Sequence, residues 1–286
     1  MITDPSTATT GIDARRRARW SLAGFGLAAI GLLAAVVVAA LLALHGHRQP
    51  TVPDLGDPGR GGPVPSAGAG SGWGWAGEAA LATRPMLALP AEASAPQSLA
   101  LHPAPGGMHL PAPTGDIAGI PAGFPQTPAG AVAALAALTT QGLRGADPQT
   151  YIRAYRALSA PGAPRAKQAR LVTVLTSLRS SAGLAPTGPV ANLTMGWQPE
   201  QTLIKGVLDG GRYTVVCVLG QFTADYQGRL VTYGVGDCQA MRWVPADPAT
   251  GAPGQWLISP GPPAATATDA WPGSQDSVNA GYQELQ

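Results

Sequence analysis

The chain has 286 residues and a formal net charge of +2. All four histidines precede residue 116, which excludes His-dependent catalytic arrangements and His-ligated metal sites from the rest of the chain. Of the 18 basic residues, 16 are arginine, and together with the abundant Ala, Gly and Pro this bias is typical of a high-GC bacterial genome.

Residues 20–44 are a run of 25 residues without a charge, long enough to cross a membrane. Four arginines lie in the preceding segment 1–19, and only Arg48 closely follows the run. The positive-inside rule therefore predicts a single-pass signal anchor in the cell membrane, with a cytoplasmic N-terminal tail and an extracytoplasmic C-terminal domain. The alternative is a cleaved signal peptide, whose apolar region would be shorter and would end in a small-x-small site.

Residues 45–115 are rich in Pro, Gly and Ala, poor in charge and without a sustained helix or strand period. Such a composition buries little apolar surface and predicts an extracytoplasmic linker. Trp73, Trp75 and the apolar stretch Met86–Leu89 are unusual for a spacer. Either they dock on the domain or a partner, or they are stray apolar residues.

An outer domain is predicted over residues 116–265, and it begins with three helices. Thr127 and Asp147 are favourable N-caps, each followed by a proline suited to the first helical position. The third helix is predicted from about Pro164 to Ser180, where Leu and Val recur at the spacing of a core-facing stripe. The tail 266–286 is irregular.

The segments after Pro189 are short, rich in β-branched and aromatic residues, and separated by Gly, Pro, Asp or Asn. Helices followed by antiparallel strands predict an α+β domain, with three helices packed across one face of a curved antiparallel sheet. The predicted fold class is this domain preceded by a single N-terminal transmembrane helix.

Cys217 and Cys238 are the only cysteines. If residues 227–228 form a two-residue hairpin turn, the two cysteines lie opposite each other, near the separation that a disulfide needs. A bulge in the second strand would shift this register by one residue. Two cysteines make a poor zinc site and a catalytic thiol needs an activating base, so a structural disulfide is favoured.

No motif for nucleophilic catalysis, phosphate-loop binding or metal binding occurs in the outer domain. Asp225 and Asp237 are the one pair that could serve as general acid and base, but aspartates at turns and strand ends are far commoner. We therefore expect a non-enzymatic protein without a cofactor.

Seven basic residues against one acid lie between residues 144 and 179. The default interpretation is a solvated helix face, and the sharper one is contact with anionic headgroups, an acidic partner or passing DNA. Direct nucleic-acid binding is not expected, since aromatic residues do not interleave with the basic ones. The predicted interaction face consists of Arg153, Arg156, Arg165, Lys167 and Arg170.

Three stretches carry a family resemblance: GFPQTPAGAVAAL at 123–135, MRWVPADPATGAPGQWLISP at 241–260 and WPGSQDSVNAGYQEL at 271–285. They resemble bitopic membrane proteins of high-GC Gram-positive bacteria with a nuclear-transport-factor-2-like outer domain, a cystatin-like cone. This plan is similar to the type IV secretion assembly subunit. The resemblance implies a scaffold in the envelope part of a conjugative DNA-transfer apparatus, with other channel proteins or further copies of the chain as partners.

The alternative function is an extracytoplasmic binding module for a small apolar or lipid-like ligand, accessory to lipid import. A cone presents a concave surface, and ligand pockets are usually apolar with a few polar groups. The same residues would more commonly form the core. The candidate pocket-lining residues are Met195, Trp197, Val216, Val218, Tyr233 and Trp243.

Overall fold

The computed structural model of the protein describes residues 76–226 and 228–286. The predicted tail 1–19, the predicted anchor 20–44 and the two linker tryptophans, Trp73 and Trp75, lie outside the described residues.

Helices predominate in the first half of the described chain, and strands predominate in the second half. The helices are α1 (Ala76–Thr83), α2 (Pro128–Gly142), α3 (Pro148–Ala157), α4 (Arg170–Ser181) and α5 (Gln275–Asn279). The strands are β1 (Gly115–Ile117), β2 (Ile120–Ala122), β3 (Leu193–Leu208), β4 (Tyr213–Tyr226), β5 (Arg229–Val244), β6 (Gln255–Ile258) and β7 (Gln283–Glu284).

Strands β3 to β7 form one antiparallel sheet in the order β6-β5-β4-β3-β7, while β1 and β2 pair separately as a short hairpin. The β4–β5 ladder runs without a register shift from the Tyr226–Arg229 pair to the Tyr213–Arg242 pair. This register places Cys217 opposite Cys238 with Cα atoms 4.0 Å apart, and the two form a disulfide. The predicted disulfide is therefore confirmed.

Helices α2, α3 and α4 cover one face of the sheet and enclose the main core. The Thr127 side chain accepts a hydrogen bond from Gly130 N, and Asp147 accepts one from Gln149 N, so both predicted caps are confirmed. Helix α4 buries Leu171, Leu175 and other apolar residues against this core. Each buried leucine contributes roughly 2 kcal/mol through the apolar area that it removes from water.

The opposite face of the sheet is covered as well. Cys217, Cys238 and Leu219 pack there against Tyr282, Ala267 and Ala270 of the C-terminal segment, with Met86 and Leu89 at their margin. Helix α1 contributes Ala82 to a neighbouring cluster with Tyr213 and Val215. The Met86–Leu89 stretch, within the range assigned to the linker, thus docks on the domain.

The predicted fold class named a cover for one face of the sheet and none for the other, and the structure corrects it on this point. Residues 213–220 of β4 are all buried, so both faces of this strand need a cover. The second face is covered by chain segments that precede and follow the three predicted helices in sequence, so the domain has three layers.

The fold class also included a membrane-spanning helix. The longest helix in the described part of the chain has 15 residues, and none there combines the length and apolar character that a crossing requires. The segment predicted to span, 20–44, lies outside the described residues.

Candidate functional site

Four of the five residues of the predicted interaction face are exposed. Arg153 and Arg156 lie on α3, while Arg165 and Lys167 lie in the connection between α3 and α4. Among the ion pairs of the described residues, none involves any of these four cations. We call Arg156, Arg165 and Lys167, with the loop 158–169 that joins α3 to α4, the basic surface.

Arg170, the fifth predicted residue, turns inward instead. It donates a hydrogen bond of 2.8 Å to the carbonyl oxygen of Gly236 and pairs with the Asp269 carboxylate. Asp269 in turn accepts a hydrogen bond of 2.9 Å from Gly236 N. Arg170 thus fastens the start of α4 to β5 and to the C-terminal segment.

Helix α4, the third of the predicted helices, begins at Arg170 and not at about Pro164 as predicted. Residues 158–169 therefore form a loop. The loop first runs beside β6, where Ala160 N donates to the Ile258 carbonyl at 3.0 Å and Ile258 N donates to the Leu158 carbonyl at 2.7 Å. Gly162 then adopts a φ of 84°, which favours glycine, and turns the chain away beside Pro260.

A cavity of about 310 Å³ opens where this loop turns. Cationic and small side chains share its wall, which is formed by Arg156, Ser159, Ala160, Gly162, Ala163, Pro164, Arg165, Ala166 and Lys167. Three positive charges around one concavity attract anions, and guanidinium groups can bind phosphate or carboxylate oxygens in a bidentate manner. The arrangement is suited to binding an anionic group.

Asp237 forms a second polar cluster, in the core beneath the helices, where it is 4% exposed. Its Oδ2 accepts hydrogen bonds from Thr139 Oγ1 at 3.1 Å and from the Tyr151 hydroxyl at 2.8 Å. Its Oδ1 accepts one from Gln239 Nε2 at 3.0 Å. The carboxylate therefore connects α2 and α3 to β5.

Burial raises the pKa of Asp237 above the ordinary aspartate value, although its three donors and the charge of Arg170 act in the opposite direction. Burial and the neighbouring carboxylate also raise the pKa of Tyr151 well above the usual tyrosine value. Perturbed pKa values can mark catalytic groups, but this carboxyl is enclosed and its bonds are all made to the protein's own side chains.

Asp225, the other aspartate considered for acid–base chemistry, lies far from Asp237. Asp237 pairs with Val218, which is seven residues from Asp225 along β4. At a strand rise of about 3.4 Å per residue the two are roughly 24 Å apart, so they cannot act on one substrate.

The six candidate pocket-lining residues lie on the helix-covered face of the sheet. Five of them are buried in the main core, where the Trp197 indole donates to the Val235 carbonyl at 2.9 Å. Trp243 is partly buried and packs edge-on against Trp256, with ring centroids 5.6 Å apart. The structure uses these side chains to join sheet and helices.

Several buried ionic features were not predicted. Arg179 is fully buried and donates to four backbone carbonyls, those of Gly145, Ala146, Ala185 and Gly188. Its position four residues after Leu175 places it on the apolar stripe of α4, and this spacing could have shown that it points inward.

A second unpredicted feature is an ion pair between Glu78 of α1 and Arg242 of β5, both buried. Arg242 also pairs with Asp209 at 2.9 Å. No local pattern in the sequence indicates this contact, because 164 residues separate its partners.

Within residues 76–226 and 228–286, no group of three or more His, Cys, Asp and Glu side chains is placed to hold a metal ion. Comparisons of the chain with protein-family models, with curated proteins and with solved structures found no match. The family resemblance therefore stays a prediction.

Proposed function

We propose that this chain is a non-enzymatic interaction and assembly protein of the bacterial envelope. It is located at the cell membrane with its C-terminal domain outside the cytoplasm, and the basic surface docks this domain onto an anionic component of the envelope. The finer proposal, based on the resemblance of the sequence, is a structural role in a conjugative, type IV secretion-like DNA-transfer apparatus.

One observation carries the proposal: Arg156, Arg165 and Lys167 are exposed around a single cavity, and no described acidic side chain pairs with them. Exposed charges of one sign raise the local concentration of partners of the opposite sign and speed their association. A solvated face needs no such convergence on a concavity.

The interior chemistry supports a non-enzymatic role. Asp237, the described carboxyl group most deeply placed beneath the helices, is enclosed and bonded by three side chains. The buried cations Arg179 and Arg242 are likewise bound to carbonyls or carboxylates. These groups hold layers together, which leaves the outer surface as the place where other molecules bind.

Exposed leucines offer contacts for protein partners in the assembly. Leu99 and Leu101 are 71% and 91% exposed, and Leu230, beside the β4–β5 turn, is 68% exposed. Exposed apolar side chains of this size are common at protein–protein contacts, although single ones also occur on ordinary surfaces.

In-cell crosslinking of the tagged full-length protein, followed by mass spectrometry, tests the assembly role. We expect crosslinks to further copies of the chain and to a transfer ATPase, a coupling protein or another channel subunit. Capture of lipid-import permease components, or of no protein, would contradict the assembly role and favour the ligand-binding alternative.

A further inference from the structure

The basic surface and the entry of the chain into the domain lie at the same end of the sheet. Helix α1, where the described chain begins, contacts Tyr213 and Arg242, which form the last pair of the β4–β5 ladder. The loop 158–169 docks on Ile258, whose partner in β5 is Met241, the neighbour of Arg242.

The basic surface and α1 thus share one end of the sheet, although α1 covers the face opposite α2, α3 and α4. The uncharged stretch 20–44 is separated from Ala76 by the 31 residues 45–75. A segment of that length can reach at most about 110 Å, so a contact between this end of the domain and a nearby membrane is sterically allowed.

The cavity itself matches a phosphodiester group with a short polar substituent. Arg156, Arg165 and Lys167 provide positive charge at its wall, while Ala163 and Pro164 provide an apolar side. A phosphodiester carries one negative charge and acceptor oxygens, which guanidinium donors bind in pairs. The cavity volume of about 310 Å³ also leaves room for the glycerol portion of a lipid headgroup.

We propose that this cavity binds the phosphodiester headgroup of an anionic phospholipid and thereby seats this end of the domain on the membrane surface. The proposal rests on the membrane location proposed above and names the anionic component that the basic surface contacts. The net positive charge of the surface favours an anionic lipid over a zwitterionic one.

The test uses the full-length protein purified in an uncharged detergent and titrated with a soluble short-chain phosphatidylglycerol. Hydrogen exchange of the backbone amides in residues 159–169 reports occupancy of the cavity. We expect protection that saturates with phosphatidylglycerol and is absent with the matching phosphatidylcholine.

The double variant R165Q/K167Q removes two charges from the cavity, and the control R144Q/R153Q removes two exposed charges that do not line it. At about 1 kcal/mol for each cation facing an anionic lipid, the first variant should bind phosphatidylglycerol on the order of 30-fold more weakly. The control variant should bind it as the unmodified protein does. Equal losses in both variants would overturn the proposal, since they would indicate a general charge effect.

Three other results would also overturn it. Equal protection by phosphatidylcholine would remove the headgroup specificity, and equal protection by inorganic phosphate alone would assign the cavity to a free anion. Tighter binding of polyglutamate than of phosphatidylglycerol would assign it to an acidic protein segment.

The lipid proposal and the assembly role fail separately. If lipid binding is absent while channel subunits are still crosslinked in cells, only the lipid proposal fails. If phosphatidylglycerol binds as expected while no channel subunit is captured, only the assembly role fails.

Discussion

The Tyr151 hydroxyl of α3 donates a hydrogen bond of 2.8 Å to Oδ2 of Asp237 on β5, deep in the core. Thr139 of α2 donates to the same oxygen at 3.1 Å. One carboxylate therefore ties two helices to the sheet that supports the basic surface.

Replacing Tyr151 with Phe removes one donor from this buried carboxylate. We expect the free energy of unfolding to fall by about 2 kcal/mol, because hydrogen bonds to charged groups contribute about 1.5–3 kcal/mol. Denaturant titration of the full-length protein measures the change. Tyr155→Phe is the matched control, since Tyr155 lies one turn away in the same core and its hydroxyl bonds no described side chain; equal losses in the two variants would contradict the role of the Asp237 bond.

The raised pKa of Asp237 predicts a specific dependence of stability on pH. Between the ordinary aspartate value of 3.8 and the raised pKa in the folded state, the folded protein retains a proton that the unfolded chain has lost. The contribution of Asp237 to the free energy of unfolding therefore falls as the pH rises through this window. Asp237→Asn should flatten this part of the curve of unfolding free energy against pH, and an unchanged slope would show that Asp237 does not titrate in this way.

The disulfide between Cys217 and Cys238 closes a loop with a sequence separation of 21 residues. For a loop of this size the loss of the crosslink should cost about 3 kcal/mol, chiefly because the unfolded chain regains conformational freedom. The free energy of unfolding of the C217A/C238A variant, compared with that of the oxidised protein, measures this cost. Addition of a reductant should destabilise the unmodified protein and leave the variant unchanged, whereas a reductant effect of equal size in both would contradict the assignment.

Arg179→Met should destabilise the domain by roughly 3 kcal/mol or more. The methionine fills much of the same space but removes the donor from four carbonyls. Leaving the buried Ala146 carbonyl unsatisfied costs about 1–3 kcal/mol, and each of the three part-buried hydrogen bonds from the charged guanidinium adds about 1 kcal/mol. Arg144→Met is the control, because Arg144 is exposed and its replacement should change stability by no more than about 0.5 kcal/mol. Similar unfolding midpoints for the two variants would mean that the buried guanidinium is not needed.

Glu78→Gln should loosen the segment that precedes the helices. The substitution removes the charge that Arg242 pairs with, so we expect faster hydrogen exchange across residues 76–95 and little change in the β4–β5 ladder. Glu92→Gln serves as the control, since Glu92 is exposed and forms no ion pair among the described residues. Unchanged exchange in residues 76–95 of the Glu78 variant would show that apolar packing alone holds them.

Local signals in the sequence predicted the features that depend on neighbouring residues. The N-caps at Thr127 and Asp147 follow from side-chain chemistry at helix starts. The facing of Cys217 and Cys238 follows from a two-residue hairpin turn at 227–228, because no bulge shifts the register between β4 and β5.

Features that depend on distant parts of the chain could not be predicted in this way. Helix α1 has eight residues and no clear apolar stripe. Its docking depends on the ion pair between Glu78 and Arg242, which are distant in sequence. Residues 164–169 were predicted as the first turns of α4, but the helix begins at Arg170, and the loop that leads to it is anchored to Ile258 of β6 through Leu158 and Ala160. Basic charge in the sequence located the basic surface but could not show that Arg170 points inward.

Site-specific photocrosslinking in cells tests most directly whether the basic surface is a contact surface. A photoreactive residue replaces Gln168, which is exposed beside Lys167, and in a separate variant it replaces Ser98, which is exposed on another segment. We expect a photoreactive residue at position 168 to capture an envelope component, either lipid or channel subunit, and R165Q/K167Q in the same chain to reduce this capture greatly. Capture at position 168 that does not exceed that at position 98, or that persists after the charges are removed, would contradict this expectation.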